Sequence, residues 1–300
     1  AQTLWNNRPF SIIWCMGGTQ HTVGSANVRA YCIMAMNFGV IGTSGGGTNI
    51  FRGHCNVQGA TDLGLDILNL PNYYGLTEQA WRHFARGWGV SYEYMQGRFK
   101  SKALMEMAGT PESRWHDLVL EAKTNLVGQP DNLKAMIFWG HGANTQTRGP
   151  DGKKAMEKLD TLVVIDPHPV QIPVMAAERK DGVYLLPACT SLEMSGSRTA
   201  SNRSLQWGEQ IVQPIFESKN DYEIMYRLAE KLGFAAEMFK NIKVTDKKPL
   251  AEDILREINR TCFTAGYSGQ SPERLKAHMA NQDIFDRVSL RASKDVPAKD

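Results

Sequence analysis

The chain has 300 residues, 42% of them hydrophobic and 22% charged, which is ordinary globular composition and enough for two core-bearing lobes. A formal net charge of +3, with no basic run interleaved with aromatics, argues against nucleic acid as a partner, and no apolar stretch reaches the roughly 18 residues of a membrane-spanning helix. The five cysteines (Cys15, Cys32, Cys55, Cys189, Cys262) are odd in number and far apart, and match no zinc or iron–sulfur spacing. They read as free thiols, with no metal site among them.

Phe10 to Cys15, FSIIWC, is a short apolar run that predicts a buried strand. The glycine-bearing loop MGGTQHTVGS follows, and Ser25 is placed to cap a helix from Ala26 to Asn37. Strand, glycine loop and helix make half of a βαβ unit, whose loop lies at the carboxyl end of the strand where ligands bind. The same pattern also serves as a plain turn, and spacing does not choose between the two.

Thr43 to Asp66, TSGGGTNIFRGHCNVQGATDLGLD, reads as the glycine-rich loop around which the chain is organised. Gly45, Gly46 and Gly47 permit close backbone approach, and Arg52 then arrives among small polar neighbours. Two readings are open. In one, the Arg52 guanidinium holds a small carboxylate through two parallel hydrogen bonds, with His54 as a proton relay and Thr61 as a hydroxyl donor. In the other, Arg52 is a surface arginine and His54 a satisfied loop histidine.

Further on, Glu78 to Trp88 has helical spacing, with Trp81, Phe84, Ala85 and Trp88 forming a core-packing face. Helices are also predicted at Ser101 to Ala108 and at Glu112 to Leu126, with Pro111 at the first turn of the latter. Lys134 to Trp139 is a strand ended by GHGANTQTRGPDG. A helix at Lys153 to Leu159 leads to the strand Thr161 to Ile165, which ends on Asp166. This βαβ unit implies parallel neighbouring strands. Val183 to Leu186 adds another strand after a helix-like stretch at Val174 to Glu178. The fold class is therefore α/β, with Rossmann-like doubly wound parallel sheets and helices on both faces.

The loop GHGAN is not the GxGxxG fingerprint, so a nicotinamide site is not favoured. Asp166 stands where such folds read a ribose or a base edge, and equally where a helix is capped before Pro167. The segment LEMSGSRTASNRSLQWGEQIVQPI reads as a polar loop entering an extended stretch near Leu205, Trp207 and Ile211. Amphipathic helices are predicted at Asp221 to Leu232, Leu250 to Asn259 and Ser271 to Asn281, and there is no internal repeat.

The segment GGGTNIFRGHCNVQGATDLG, with IIWCMGGTQHTVGSANVRA before it, resembles the catalytic subunit of molybdenum- or tungsten-dependent formate dehydrogenases. These belong to the molybdopterin-guanine-dinucleotide oxidoreductases related to dimethyl sulfoxide reductase. The resemblance continues through AMIFWGHGANTQT, LVVIDPHP and VYLLPACTSLEMSG, to about Leu232. It implies a division into residues 1–53 (the end of one dinucleotide-binding-like domain), 54–190 (a second cofactor-binding α/β domain) and 191–300 (a mixed, mostly helical segment returning to the cluster-side domain).

By the same resemblance Arg52 matches the arginine that orients formate, His54 the histidine or glutamine beside it, and Thr61 a small polar residue of the active-site wall. Cys15, Met16, Gly17 and Gln20, with Gly53, match residues along one pterin dinucleotide. Gly140, His141, Gly142 and Asn144 match the loop on the other, and Asp166 the acid that reads its guanine. The implied cofactor is bis-molybdopterin guanine dinucleotide carrying Mo or W, and the implied reaction is two-electron oxidation of formate to CO2. A [4Fe–4S] cluster is expected in an amino-terminal part upstream of Ala1, and an iron–sulfur electron-transfer subunit as partner. No nucleic acid and no direct membrane insertion are expected; the location implied is periplasmic, with the cytoplasm as the alternative.

Besides the cluster domain expected upstream and a longer stretch between Asp166 and the LLP strand end, the chain departs from the family pattern in three places. It has no cysteine followed by histidine to meet the metal, Gly142 stands where relatives carry Asn or Asp, and the carboxyl-terminal barrel domain is not in it. It begins on Ala1 and ends on KDVPAKD, so it is expected to be a piece of a longer polypeptide, inactive in isolation. Two other readings stand beside formate oxidation: a molybdopterin oxidoreductase for another small substrate, and a noncatalytic nucleotide-binding α/β domain.

Overall fold

The computed structural model describes residues 1–121, 131–143 and 148–283. The chain is a mixed α/β protein whose contacts separate it into two compact units. One comprises residues 1–65, 197–207 and 269–300, the other 66–196 and 208–268.

In the first unit the strand Ser11–Trp14 lies parallel to Gly47–Ile50, with Ser11 opposite Gly47 and Trp14 opposite Ile50. The helix Gly24–Asn37 forms the crossover. It starts two residues before the expected Ala26, and Ser25 lies inside it rather than capping it; Val23 is the N-cap and gives no side-chain hydrogen bond. Only glycine fits at position 24, because a Cβ there would stand 2.0 Å from the Thr19 carbonyl oxygen. Trp14, Ala35 and Val40 are buried in this layer, and Trp14 packs on Tyr31 with ring centroids 5.2 Å apart.

The stretch read as one long glycine loop therefore contains a strand, and it ends in the helix Val57–Asp62. Pairing with Ser11–Trp14 makes the strand where local propensity argues for a loop. Gly46 does make a close approach, but to its own chain: a Cβ would stand 2.2 Å from the Val40 carbonyl oxygen. A second small sheet pairs Gly196–Thr199 with Leu205–Gly208, so part of the expected polar loop is strand.

The second unit is built on a three-stranded parallel sheet, Ala135–Trp139, Thr161–Asp166 and Tyr184–Pro187, in chain order. Apolar runs make these strands, and the central strand Thr161–Asp166 is packed on both faces, while Ile137, Tyr184 and Leu185 on its neighbours stay exposed. On one face Phe138, Leu162 and Val164 pack with Ala155 and Met156 of the helix Gly149–Lys158 and with Trp115 and Val119. On the other, Ile165 and Ala188 meet Ile224 of the helix Asp221–Leu232, and Trp139 Nε1 donates to Asp221 Oδ1 at 2.7 Å. Buried Arg179 closes the first helix, its Nη1 donating to the carbonyls of Met156 and Leu159.

Elsewhere in this unit Glu78–Trp88 is helical as expected, with Trp81, Phe84 and Ala85 buried. It packs on Ala251–Thr261, and His83 Nε2 lies 2.8 Å from the Thr261 carbonyl oxygen. The helix expected at Ser101 to Ala108 shrinks to Lys102–Met105, and the one expected at Val174 to Glu178 is displaced to Ile172–Met175. Past Pro111 a 3-10 turn, Glu112–Arg114, precedes the helix Trp115–Leu120. The rest of that expected helix, from residue 122, lies outside the described residues.

Candidate functional site

The parallel register in the first unit sets the geometry of its candidate site. Trp14 and Ile50 are opposite one another, so the segments leaving both strands emerge at the same sheet edge. Phe51 N–H closes that edge on the Trp14 carbonyl at 3.0 Å. From Trp14 the chain passes through half-buried Cys15 into the short helix Met16–Thr19, with Gly18 N–H on the Cys15 carbonyl and Gln20 N–H on that of Met16. Met16 is exposed, and no atom lies within 4 Å of where a Gly17 Cβ would stand. His21 Nε2 is 2.8 Å from the Gly17 carbonyl.

From Ile50 the chain passes to Arg52. Its backbone N–H donates to Ser201 Oγ at 3.0 Å, and its Nη1 donates to Thr61 Oγ1 at 2.9 Å. Arg52 Nε is buried and has no hydrogen-bond partner among the described residues. A partly buried guanidinium fixed by a neutral hydroxyl keeps its charge for something else. Thr61 Oγ1 also donates to the Val57 carbonyl at 3.0 Å, so toward Arg52 it acts as an acceptor. His54 is exposed and no hydrogen bond joins its ring to Arg52 or Thr61 among the described residues. Gly53 is exposed, with open space where a Cβ would be.

Behind Thr61 lies a part of the site that sequence reasoning missed. Asp62 is fully buried; Gln58 Nε2 donates to its Oδ1 at 2.8 Å, and Arg203 Nη2 lies 3.5 Å from the same oxygen. Asn56 has a left-handed backbone (φ 63°) before the helix, and its Oδ1 accepts the Thr199 N–H at 2.9 Å. Gly59 permits that approach, since a Cβ would stand 3.1 Å from Thr199 Oγ1 and 2.1 Å from Asn56 Oδ1. The only local signal for these contacts is the polar turn ASNRS at 200–204.

The second unit carries its own strand-end group. Gly140 has φ +62°, and its N–H donates to the Ile165 carbonyl at 2.8 Å. Trp139 is opposite Ile165 and Asp166 opposite Pro187, so Gly140, Asp166 and Ala188 share the carboxyl edge of one sheet. His141 Nε2 lies 2.9 Å from Glu112 Oε1, while its Nδ1 is buried without a hydrogen-bond partner among the described residues. Gly142 is half-buried, and Asn144 lies outside the described residues. Asp166 Oδ1 accepts the His168 N–H at 2.9 Å, making a turn and no helix cap.

The far stem of the Gly140 loop is tied to the same segment as the near one. Arg148 Nη1 donates to Asp117 Oδ1 at 2.8 Å, and Arg114 Nε to Asp117 Oδ2 at 2.9 Å. Burial raises the Asp117 carboxyl pKa, but the hydrogen bonds from Arg114 and Arg148 more than reverse that and leave it below its ordinary value. Burial, with the nearby Arg148 charge, holds the His116 imidazole below its ordinary value. Among the described residues no three His, Cys, Asp or Glu side chains converge on a metal position, none of the five cysteines forms a disulfide, and no helix is long and apolar enough to cross a membrane.

The family described as "Molybdopterin oxidoreductase" matches residues 1–231. The chain is 32% identical over 282 residues to the F420-dependent formate dehydrogenase subunit alpha of Methanocaldococcus jannaschii, covering 92% of this chain and 35% of that protein. It is 31% identical to the probable oxidoreductase YjgC of Bacillus subtilis, covering 90% of this chain and 24% of that one. The major subunit of the nitrate-inducible formate dehydrogenase of Escherichia coli is 27% identical, over 75% of this chain and 26% of its own length. The chain thus spans about a third or less of the relatives it matches. With the match extending over residues 1–231, the chain belongs to the molybdopterin oxidoreductase family.

Proposed function

We propose that this chain is the central, cofactor-binding part of a formate dehydrogenase catalytic subunit, in which Arg52 holds the carboxylate of formate. The observation that carries the reading is the state of Arg52. The guanidinium stands at the carboxyl edge of a parallel sheet, fixed by the Thr61 hydroxyl, with a buried Nε that has no hydrogen-bond partner among the described residues. Relatives named as formate dehydrogenase subunits match most of this chain.

The residues present fit a pterin dinucleotide. Each strand-end group offers open backbone at a glycine, Gly17 in one unit and Gly140 in the other. His141 supplies a buried Nδ1 with no partner among the described residues. Cys15, Met16, Gly17, Gln20 and Gly53 would hold one dinucleotide, and Gly140, His141, Gly142 and Asn144 the other, with Asp166 on its guanine. Asp166 retains acceptor capacity for a base amino group beyond the one N–H it takes from His168. The doubly wound sheet, the 1–53, 54–190 and 191–300 division, the [4Fe–4S] cluster and an iron–sulfur partner subunit belong to the same proposal for the full-length protein.

When bound, the Mo or W pterin centre supplies the two-electron redox chemistry. Arg52 binds the substrate carboxylate, orients its C–H bond and offsets its charge where water is excluded. Thr61 fixes the guanidinium by accepting from Nη1. His54 is the proton relay in this reading.

The full-length protein, purified with its cofactor, tests this through formate-dependent reduction of a dye together with pterin and metal analysis. Turnover on formate with bound pterin is the expected result. Bound pterin without formate turnover would point to another small substrate, and no bound pterin to a noncatalytic nucleotide-binding domain.

A further inference from the structure

The segment from Thr199 to Ser204 lies about 150 residues from Arg52 in sequence and meets the stretch from Arg52 to Asp62 at three points. Ser201 Oγ accepts the Arg52 backbone N–H at 3.0 Å. Thr199 N–H donates to Asn56 Oδ1 at 2.9 Å, where the helix Val57–Asp62 begins. Arg203 Nη2 stands 3.5 Å from Asp62 Oδ1, one residue past the Thr61 that holds the guanidinium. The turn is itself braced by Ala200 N–H on the Ser204 carbonyl (2.9 Å) and Arg203 N–H on that of Ala200 (2.8 Å).

These contacts fix both ends of the Arg52 side chain. Ser201 sets where its backbone lies. The buried Asp62 carboxylate is costly without a cation, so its attraction to Arg203 sets how the helix bearing Thr61 sits, and therefore where Thr61 Oγ1 meets Nη1. From this juxtaposition we infer that Ser201 and Arg203 are positioning residues for Arg52, placing a guanidinium that they do not touch through its charged end. The inference rests on the reading of Arg52 as the formate-binding group. A displacement of about 1 Å at such a group costs up to about a hundredfold in rate, so the turn acts on substrate binding without contacting substrate.

The test uses the full-length holoenzyme carrying Ser201→Ala, Arg203→Ala, Arg203→Lys or Arg52→Ala. Its readouts are kcat and KM for formate and the bound pterin and metal per enzyme. Ser201→Ala and Arg203→Ala are expected to raise KM for formate by about tenfold or more, with cofactor content at the wild-type level. Arg203→Lys, which keeps a cation toward Asp62, is expected to recover most of that loss. Wild-type KM in both alanine variants would overturn the inference, as would a fall in turnover that only tracks lost cofactor. If Arg52→Ala is impaired and the turn variants are not, the positioning role fails alone. If Arg52→Ala oxidises formate normally, the reading of Arg52 fails and the inference falls with it.

Discussion

Arg52 donates through Nη1 to Thr61 Oγ1 at 2.9 Å, and the same hydroxyl donates to the Val57 carbonyl one helical turn back. Because its hydrogen is committed to Val57, Thr61 presents only lone pairs to the guanidinium. The arrangement is one-directional: a helix holds an arginine in place through a neutral acceptor. Thr61→Ala in the full-length enzyme removes a charge-assisted hydrogen bond of about 1.5–3 kcal/mol. KM for formate is expected to rise by about tenfold or more, and Thr61→Ser to restore it. Steady-state kinetics on formate checks both variants.

Gly59 lies inside the helix Val57–Asp62, where Ala would ordinarily stabilise by about 0.5–1 kcal/mol. Here a Cβ would overlap Asn56 Oδ1 at 2.1 Å and crowd Thr199 Oγ1 at 3.1 Å. The Asn56–Thr199 hydrogen bond must then give way, and overpacking of this kind costs about 1–3 kcal/mol. Gly59→Ala is expected to lower the unfolding midpoint of the full-length protein, the opposite of the propensity prediction. Thermal unfolding reads the sign directly.

Asp117 is buried and takes hydrogen bonds from Arg114 and Arg148, both of which remain half-exposed. Arg148→Ala leaves that carboxylate with Arg114 as its charged hydrogen-bond donor and unties the far stem of the Gly140 loop. Allowing for solvent screening at the exposed arginine, the expected cost is about 1–2 kcal/mol. Denaturant unfolding measures it. Asp117→Asn is expected to cost a similar amount, since both arginines then lose their charged acceptor.

The His116–Asp117 pair also sets a pH dependence. His116 sits below its ordinary value of 6.5 in the folded chain, chiefly through burial, so the unfolded chain binds the proton more readily. Its contribution is complete above pH 6.5 and falls as the pH drops below it. Asp117 is likewise lowered from 3.8, and its contribution is lost as the pH falls further, below about that value. Unfolding midpoints measured across this range are expected to decline in those two stages. His116→Phe is expected to remove the first stage and leave the second.

The parts of the fold that follow local rules were legible in the sequence. Asp221 to Leu232 is helical over the residues expected, because Asn220 caps it through Glu223 N–H and Gly233 ends it in a left-handed turn. The strands ending on Trp139 and Asp166 are apolar runs stopped by a glycine and an acid, and they pair in parallel as their spacing implies. The strand Gly47–Ile50 was not legible, since one glycine, two small polar residues and one isoleucine carry no strand pattern and its partner is more than thirty residues away. Arg52 and Thr61 could be grouped because nine residues separate them. Ser201, Arg203 and Asp62 could not, because nothing in a polar turn announces which distant backbone it will meet.

Formate oxidation by the full-length enzyme carrying Arg52→Ala is the most direct test of the role given to that guanidinium. The measurement is kcat/KM for formate, taken with pterin and metal content from the same preparation. A loss of about a hundredfold or more, with cofactor content unchanged and partial recovery in Arg52→Lys, is the result predicted. Wild-type kcat/KM in Arg52→Ala would contradict it.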